Sequence, residues 1–128
     1  MSRVNAATFN TVDRSGIVAI VGPCASGKST LAANLRAIGY DARVSGQEHS
    51  EIVTLWKRLG ADVVVALHID IGTLRARRGE TWSQTLFDKQ LARLRDAYEA
   101  ADIHVNTAEA SECRTFTLVT EALVQRET

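Results

Sequence analysis

The chain has 128 residues, 45% hydrophobic and 23% charged, which is the composition of a folded protein and not of a disordered one. Fifteen basic residues balance fifteen acidic ones, so the basic excess of a dedicated duplex-binding protein is missing and nucleic acid is disfavoured as a partner. One proline and eight glycines exclude collagen-like or linker-rich architectures, and no apolar run nears the roughly 20 residues that span a bilayer.

Two cysteines, Cys24 and Cys113, are too few for a disulfide framework. The stretch MSRVNAATFNTVDRSG has no apolar segment of the secretory kind, so the expected location is the cytoplasm. Residues 1–15 are polar and non-periodic and read as an arm, leaving 16–128 as one domain.

Ile17-Val18-Ala19-Ile20-Val21 is a continuous apolar run, as expected of a strand buried on both faces. Leu31, Leu35 and Ile38 then recur at helical spacing and predict a helix over 29–38, ended by Gly39. Residues 41–45 read as a weak strand around Val44. Ser50 is placed to cap a second helix, in which Ile52, Leu55, Trp56 and Leu59 fall at i, i+3, i+4 and i+7 before Gly60.

The strongest strand is 63–69, a β-branched run that ends at Asp70. Residues 73–78 form a short predicted helix stopped by Gly79. Thr81 or Ser83 opens a longer one to about Ala100, with Phe87, Leu91, Leu94 and Tyr98 on one face. A last strand, 102–106, precedes a last helix over 111–125, where Phe116, Val119 and Leu123 align. Strands that alternate with long helices need crossover connections, so the fold class is α/β with a parallel sheet between helices.

Gly22-Pro23-Cys24-Ala25-Ser26-Gly27-Lys28-Ser29 fits G-x-x-x-x-G-K-[ST] at every fixed position, after an apolar strand and before an amphipathic helix. Gly22 and Gly27 permit backbone angles that turn successive amides toward phosphate oxygens. The first turn of the helix, through Thr30, adds free N–H groups and a positive dipole end. In this reading Lys28 reaches the β- and γ-phosphates and the Ser29 hydroxyl ligates Mg²⁺. Cys24 has two readings, a loop filler or a thiol activated near a helix N-terminus. It has no CxxC partner, and the filler is preferred. Cys113 reads as packing, His68 and His104 as structural groups in strands, and no His/Cys spacing, His49 included, fits a zinc site.

A phosphate loop needs a carboxylate near the strand ends to help the metal or the nucleophile, and Glu48 and Asp70 are the candidates. Glu48 is read as a Mg²⁺-water or acceptor-hydroxyl residue, whereas Asp70 is either a metal-assisting carboxylate or a helix cap. Arg75 and Arg78 share a helix face, with Arg77 pointing elsewhere, and can offset charge on a transferred phosphoryl group as part of a lid. The same cluster also suits simple compensation of a helix C-terminus. No NKxD-type guanine element is present, and nothing matches the signature loop of transporter ATPases.

In these segments the sequence resembles small P-loop kinases of the shikimate-kinase and nucleoside-monophosphate-kinase type. Val63-Val64-Val65-Ala66-Leu67-His68-Ile69-Asp70 followed by Thr73-Leu74-Arg75-Ala76-Arg77-Arg78-Gly79 is similar to that family's strand and arginine-bearing lid. Arg95-Asp96-Ala97-Tyr98 and Ala101-Asp102-Ile103-His104-Val105-Asn106-Thr107 resemble its R-x-x-Y…A-D-[IV]-x-[VI]-[DN]-T stretch. The resemblance implies a P-loop NTPase fold, ATP and Mg²⁺ as cofactors, and Arg95 as a ligand of acceptor or phosphate. The family has a further strand and helices before the strand like 63–69, forming the acceptor site, where this chain has about two dozen residues. The sheet expected is therefore four strands in order 2-1-3-4, in a three-layer α/β/α arrangement. Without paired aspartates or a glycine triplet in that interval, shikimate is disfavoured as the acceptor.

The function expected is a small ATP-dependent phosphotransferase acting on an unidentified small-molecule acceptor. The alternative, which the short acceptor interval motivates, is a non-catalytic or slowly hydrolysing nucleotide-binding module that regulates or joins a complex.

Overall fold

The computed structural model describes residues 16–127; the expected arm, 1–15, and Thr128 lie outside the described residues. The elements are β1 (Ile17–Val21), α1 (Lys28–Ala37), β2 (Asp41–Val44), β3 (Val63–His68), α2 (Ile71–Arg78), α3 (Gln84–Ala100), β4 (Ile103–Asn106) and α4 (Glu112–Glu127). The four strands form one parallel sheet in the order β2-β1-β3-β4, as expected. The register sets Val18 beside Ala42 and Val63, and Val65 beside Ile103.

The period of two along each strand divides the core between the two faces. Val18, Ile20, Val65, Leu67, Ile103 and Val105 pack with Leu31 and Leu35 of α1 and Val119 and Leu123 of α4. Ala19, Val21, Val64 and Ala66 meet Leu94 and Ala97 of α3 on the other face. Small side chains dominate this second face, so the long helix lies close against the sheet. The result is the three-layer α/β/α arrangement, with both faces of the sheet covered.

The helix expected from Ser50 does not form. Two 3₁₀ turns, Gln47–His49 and Leu55–Leu59, occupy the interval, and Ile52 and Val53 are exposed. The cause is Gln47, which is fully buried. Its amide Nε2 donates to the Ile52 carbonyl at 2.8 Å, and the Trp56 amide donates to its Oε1 at 2.9 Å. An α-helix would join that same carbonyl and amide directly, since they are four residues apart. A side chain therefore stands inside what would be the helical hydrogen bond. The segment is further fastened to α3 by Arg93 on Glu51 and by the Trp56 indole on Asp96.

The stripe expected on α3 is also rotated. Phe87, Gln90, Leu94 and Ala97 are buried, while Leu91 is exposed and Tyr98 only partly covered. Tyr98 uses its hydroxyl to donate to the Leu67 carbonyl at 2.7 Å, and burial raises its pKa well above the usual phenol range. His68 lies against this ring, with centroids 4.3 Å apart, and its Nε2 is 2.9 Å from Nδ1 of His104.

Gln47→Ala removes both bridges at once and leaves a void. It is expected to lower stability by about 1–3 kcal/mol, read as a drop in melting temperature. An unchanged melting temperature contradicts the role given to Gln47.

Burial, and secondarily His104, holds the His68 imidazole below its ordinary pKa. The folded chain thus resists a proton that the unfolded chain accepts, so stability is full above pH about 6.5 and declines as pH falls below it. Chemical denaturation between pH 7.5 and 5.5 should show this decline. His68→Gln should flatten it, and an equal slope in the variant contradicts the assignment.

Candidate functional site

The loop of residues 22–27 leaves the carboxyl end of β1 and delivers the chain into α1. Gly22 has no room for a side chain: a Cβ there would stand 2.5 Å from Ser26 Oγ and 3.0 Å from the Leu67 carbonyl oxygen. Gly27, at φ +97°, caps α1 in the left-handed region, and Ala25 adopts φ +65° within the loop. The Leu31 amide is bonded to the Gly27 carbonyl, so α1 is closed from Leu31 onward. The amides of Gly27, Lys28, Ser29 and Thr30 precede that bond and have no acceptor within the helix.

The loop carbonyls, by contrast, are engaged. Lys28 folds back so that Nζ donates to the carbonyls of Gly22 at 2.8 Å and Pro23 at 2.9 Å. Arg77 donates to the Ala25 carbonyl at 2.7 Å, and the Thr107 hydroxyl to that of Ser26 at 2.8 Å. The Cys24 amide donates to Gln90 Oε1 at 3.0 Å. Carbonyls tied back while the helix amides stay open give a loop suited to an anion.

Lys28 makes a third contact, an ion pair of 2.8 Å with Glu48 Oε2, in which both side chains are nearly buried. Glu48 comes from the first 3₁₀ turn, beyond β2, and the buried Gln47 beside it fixes that turn. Its other oxygen, Oε1, has no partner. Among the described residues three buried side-chain oxygens are left this way: Ser26 Oγ, Glu48 Oε1 and Thr115 Oγ1. All three residues line clefts that meet at the loop. Orphan oxygens are costly when buried, and these three are grouped around one loop.

A cleft of about 530 Å³ brings together Cys24, Ala25, Gly27, Lys28, Ser29, Thr30 and Glu48 with His49, Arg77 and Arg78. A second, of about 280 Å³, runs between Ser26, Thr30, Arg77, Thr107, Glu112 and Thr115. Gly22 and Pro23 lie buried beneath the loop and contribute their carbonyls to Lys28. Most of the residues expected at the site therefore do share it.

Three do not. Asp70 caps α2, accepting from the Thr73 amide at 2.7 Å, and hydrogen bonding from Thr73 holds its carboxyl below the ordinary range. Arg75 turns to the Trp82 carbonyl. Arg95 is exposed on α3 and lines a shallow cleft with His68, Asp88 and Tyr98. The arginine that reaches the loop is Arg77, expected to point elsewhere. Besides Ala25 it holds the Thr107 carbonyl at 2.6 Å, and it lines both clefts. Arg77 is three residues on from Leu74, the buried residue of α2, and so lies beside the face that meets the core.

Two other contributors also escaped the sequence reading. Gln90 falls within the apolar stripe of α3, where a polar residue signals a specific buried partner, and that partner is Cys24. Arg93 donates to the Glu48 carbonyl and anchors the turn that carries the carboxylate.

No family model matches the chain, and no curated protein matches it. Among solved structures, the chain is similar to the YorR protein from Bacillus subtilis, determined in complex with phosphorylated GDP. The two are 17% identical, the match covers 87% of this chain and 96% of that one, and the TM-score is 0.60. At that identity the likeness concerns the fold, a four-stranded parallel sheet flanked by helices.

Proposed function

We propose that the chain binds a nucleoside triphosphate with Mg²⁺ and acts as a small ATP-dependent phosphotransferase on a small-molecule acceptor. One observation carries the reading: the lysine of a strand-to-helix loop with open helix amides is held by Glu48 and two loop carbonyls, with unpartnered buried oxygens grouped around it. The similar fold of a protein solved with phosphorylated GDP supports it further.

In this reading the β- and γ-phosphates replace Glu48 and the two loop carbonyls as partners of Lys28, so its charge stays paired throughout. The open amides of α1 meet the phosphate oxygens, and Arg77 and Arg78 line the same cleft. The base lies in the smaller cleft, which is lined by Thr30, Glu112 and the planar cation of Arg77.

The donor set fits Mg²⁺, which favours hard oxygen ligands: the Ser29 hydroxyl and the Glu48 carboxylate line one cleft. Bound there, Mg²⁺ would supply positive charge across the phosphates. Glu48, once released from Lys28, is placed to accept the proton of an acceptor hydroxyl. Residues 16–128 acting as one domain belong to the same proposal.

A second reading has its own support. Among the described residues only two 3₁₀ turns stand between β2 and β3, with no helix to build an acceptor pocket. A nucleotide-binding module with slow hydrolysis would need none. Measuring ADP release from MgATP over a panel of small hydroxyl and phosphate acceptors separates the two. Turnover raised by an acceptor establishes the phosphotransferase, and binding with only slow hydrolysis selects the module.

Lys28→Ala is expected to weaken MgATP binding about tenfold to a hundredfold in titration calorimetry, the cost of a charge-assisted contact. Arg77→Ala should also weaken it, whereas Arg75→Ala and Arg95→Ala should leave affinity within about twofold. Full affinity in Lys28→Ala contradicts the assignment of the loop.

A further inference from the structure

Cys24 and His49, which the phosphate-handling role leaves unused, stand beside Glu48, which it does use. Their ligand atoms, one from each residue, lie within 4.8 Å of one another. Cys24 Sγ is 3.8 Å from His49 Nε2, and that nitrogen is 3.5 Å from Glu48 Oε2. Around a tetrahedral Zn²⁺ with ordinary bond lengths, sulfur and nitrogen ligands stand about 3.6 Å apart and nitrogen and oxygen ligands about 3.3 Å apart. These two separations are within a few tenths of those edges, and the third, Cys24 Sγ to Glu48, lies within 4.8 Å.

Two independent observations add to the distances. Glu48 Oε1 is buried without a partner, although the carboxylate as a whole is nine-tenths covered. The oxygen that stands 3.5 Å from His49 Nε2 is Oε2, so a cation would share that oxygen with Lys28, whose other partners are the Gly22 and Pro23 carbonyls. The sulfur, in turn, is held by a buried amide: Gln90 Nε2 donates to Cys24 Sγ at 3.2 Å, while Gln90 Oε1 receives the Cys24 amide at 3.0 Å. The two-point clamp fixes the side chain, as outer partners do for metal ligands.

We infer that Cys24, His49 and one oxygen of Glu48 make a three-ligand site for a borderline-soft divalent cation, Zn²⁺ in the first instance. A thiolate, an imidazole and a carboxylate suit Zn²⁺ and disfavour Mg²⁺, which prefers oxygen alone. The fourth position faces the larger cleft, which these three residues all line, and is open to water or to a ligand oxygen. The site is distinct in chemistry from the one proposed for Mg²⁺ and shares only Glu48 with it. Its test needs no nucleotide, so it stands or fails apart from the phosphotransferase reading.

The probe is Co²⁺ titrated into the reduced, nucleotide-free chain and followed by absorption, with Zn²⁺ as competitor. The expected result is one Co²⁺ per chain, a near-ultraviolet sulfur-to-cobalt band, visible bands of tetrahedral intensity, and loss of all of them on adding Zn²⁺. Cys24→Ser should abolish the sulfur band. His49→Ala, at an exposed position where folding is not at risk, should weaken Co²⁺ binding at least about tenfold. Cys113→Ser and His104→Ala should change neither. A spectrum of octahedral aqueous type, or a sulfur band that survives Cys24→Ser, overturns the site.

Discussion

A buried ammonium group cannot stand alone, and the architecture around the loop follows from how Lys28 is satisfied. Its three partners, the Gly22 and Pro23 carbonyls and Glu48, come from two separate crossovers of the sheet. The carbonyls belong to the β1–α1 loop and the carboxylate to the segment after β2. One side chain thereby ties together the carboxyl ends of neighbouring parallel strands, where ligands of such sheets collect. Removing either charge would leave the other buried and uncompensated, a cost of about 3–5 kcal/mol. Every surrounding device serves that pair: Gln47 and Arg93 fix the turn bearing Glu48, while Thr107 and Arg77 hold the loop carbonyls from outside.

This arrangement also explains where the structure tolerates imperfection. The sheet and its two packed faces are filled by apolar side chains, with no orphan polar group among the residues of either core cluster. The unpaired buried oxygens of Ser26, Glu48 and Thr115 instead lie around one loop, together with the left-handed Ala25. Strain and unsatisfied polarity placed against a well-packed scaffold support the proposal that this loop is the functional site.

The fold was largely legible because its signals are local. Continuous apolar runs gave β1 and β3, and helical spacing with end signals gave α1, α3 and α4. The glycine pattern then located the loop to the residue. Legibility ended where one side chain overrules a periodicity. Residues 52–59 carry a sound helical pattern, yet Gln47, from outside the segment, takes the carbonyl and amide that the helix would have paired. Helical spacing in 71–78 pairs Arg75 with Arg78 and leaves Arg77 off their face, so periodicity alone does not bring Arg77 to the loop. The buried position of Leu74 decides which face meets the loop, and that is a tertiary fact. Asp70 illustrates a tie that only coordinates break, since a carboxylate after a strand suits a metal and a helix cap equally. The pairing of Cys24 with His49 and Gln90 spans 25 and 66 residues, beyond any spacing rule.

The central claim is that Glu48 occupies the place of a phosphate on Lys28. A crystal structure with Mg²⁺ and a non-hydrolysable ATP analogue tests it most directly. The expected result is Lys28 Nζ on β- and γ-phosphate oxygens, with Glu48 released toward the metal or the open cleft. A nucleotide bound away from the loop, or a Lys28–Glu48 pair left intact beneath a bound triphosphate, would contradict it.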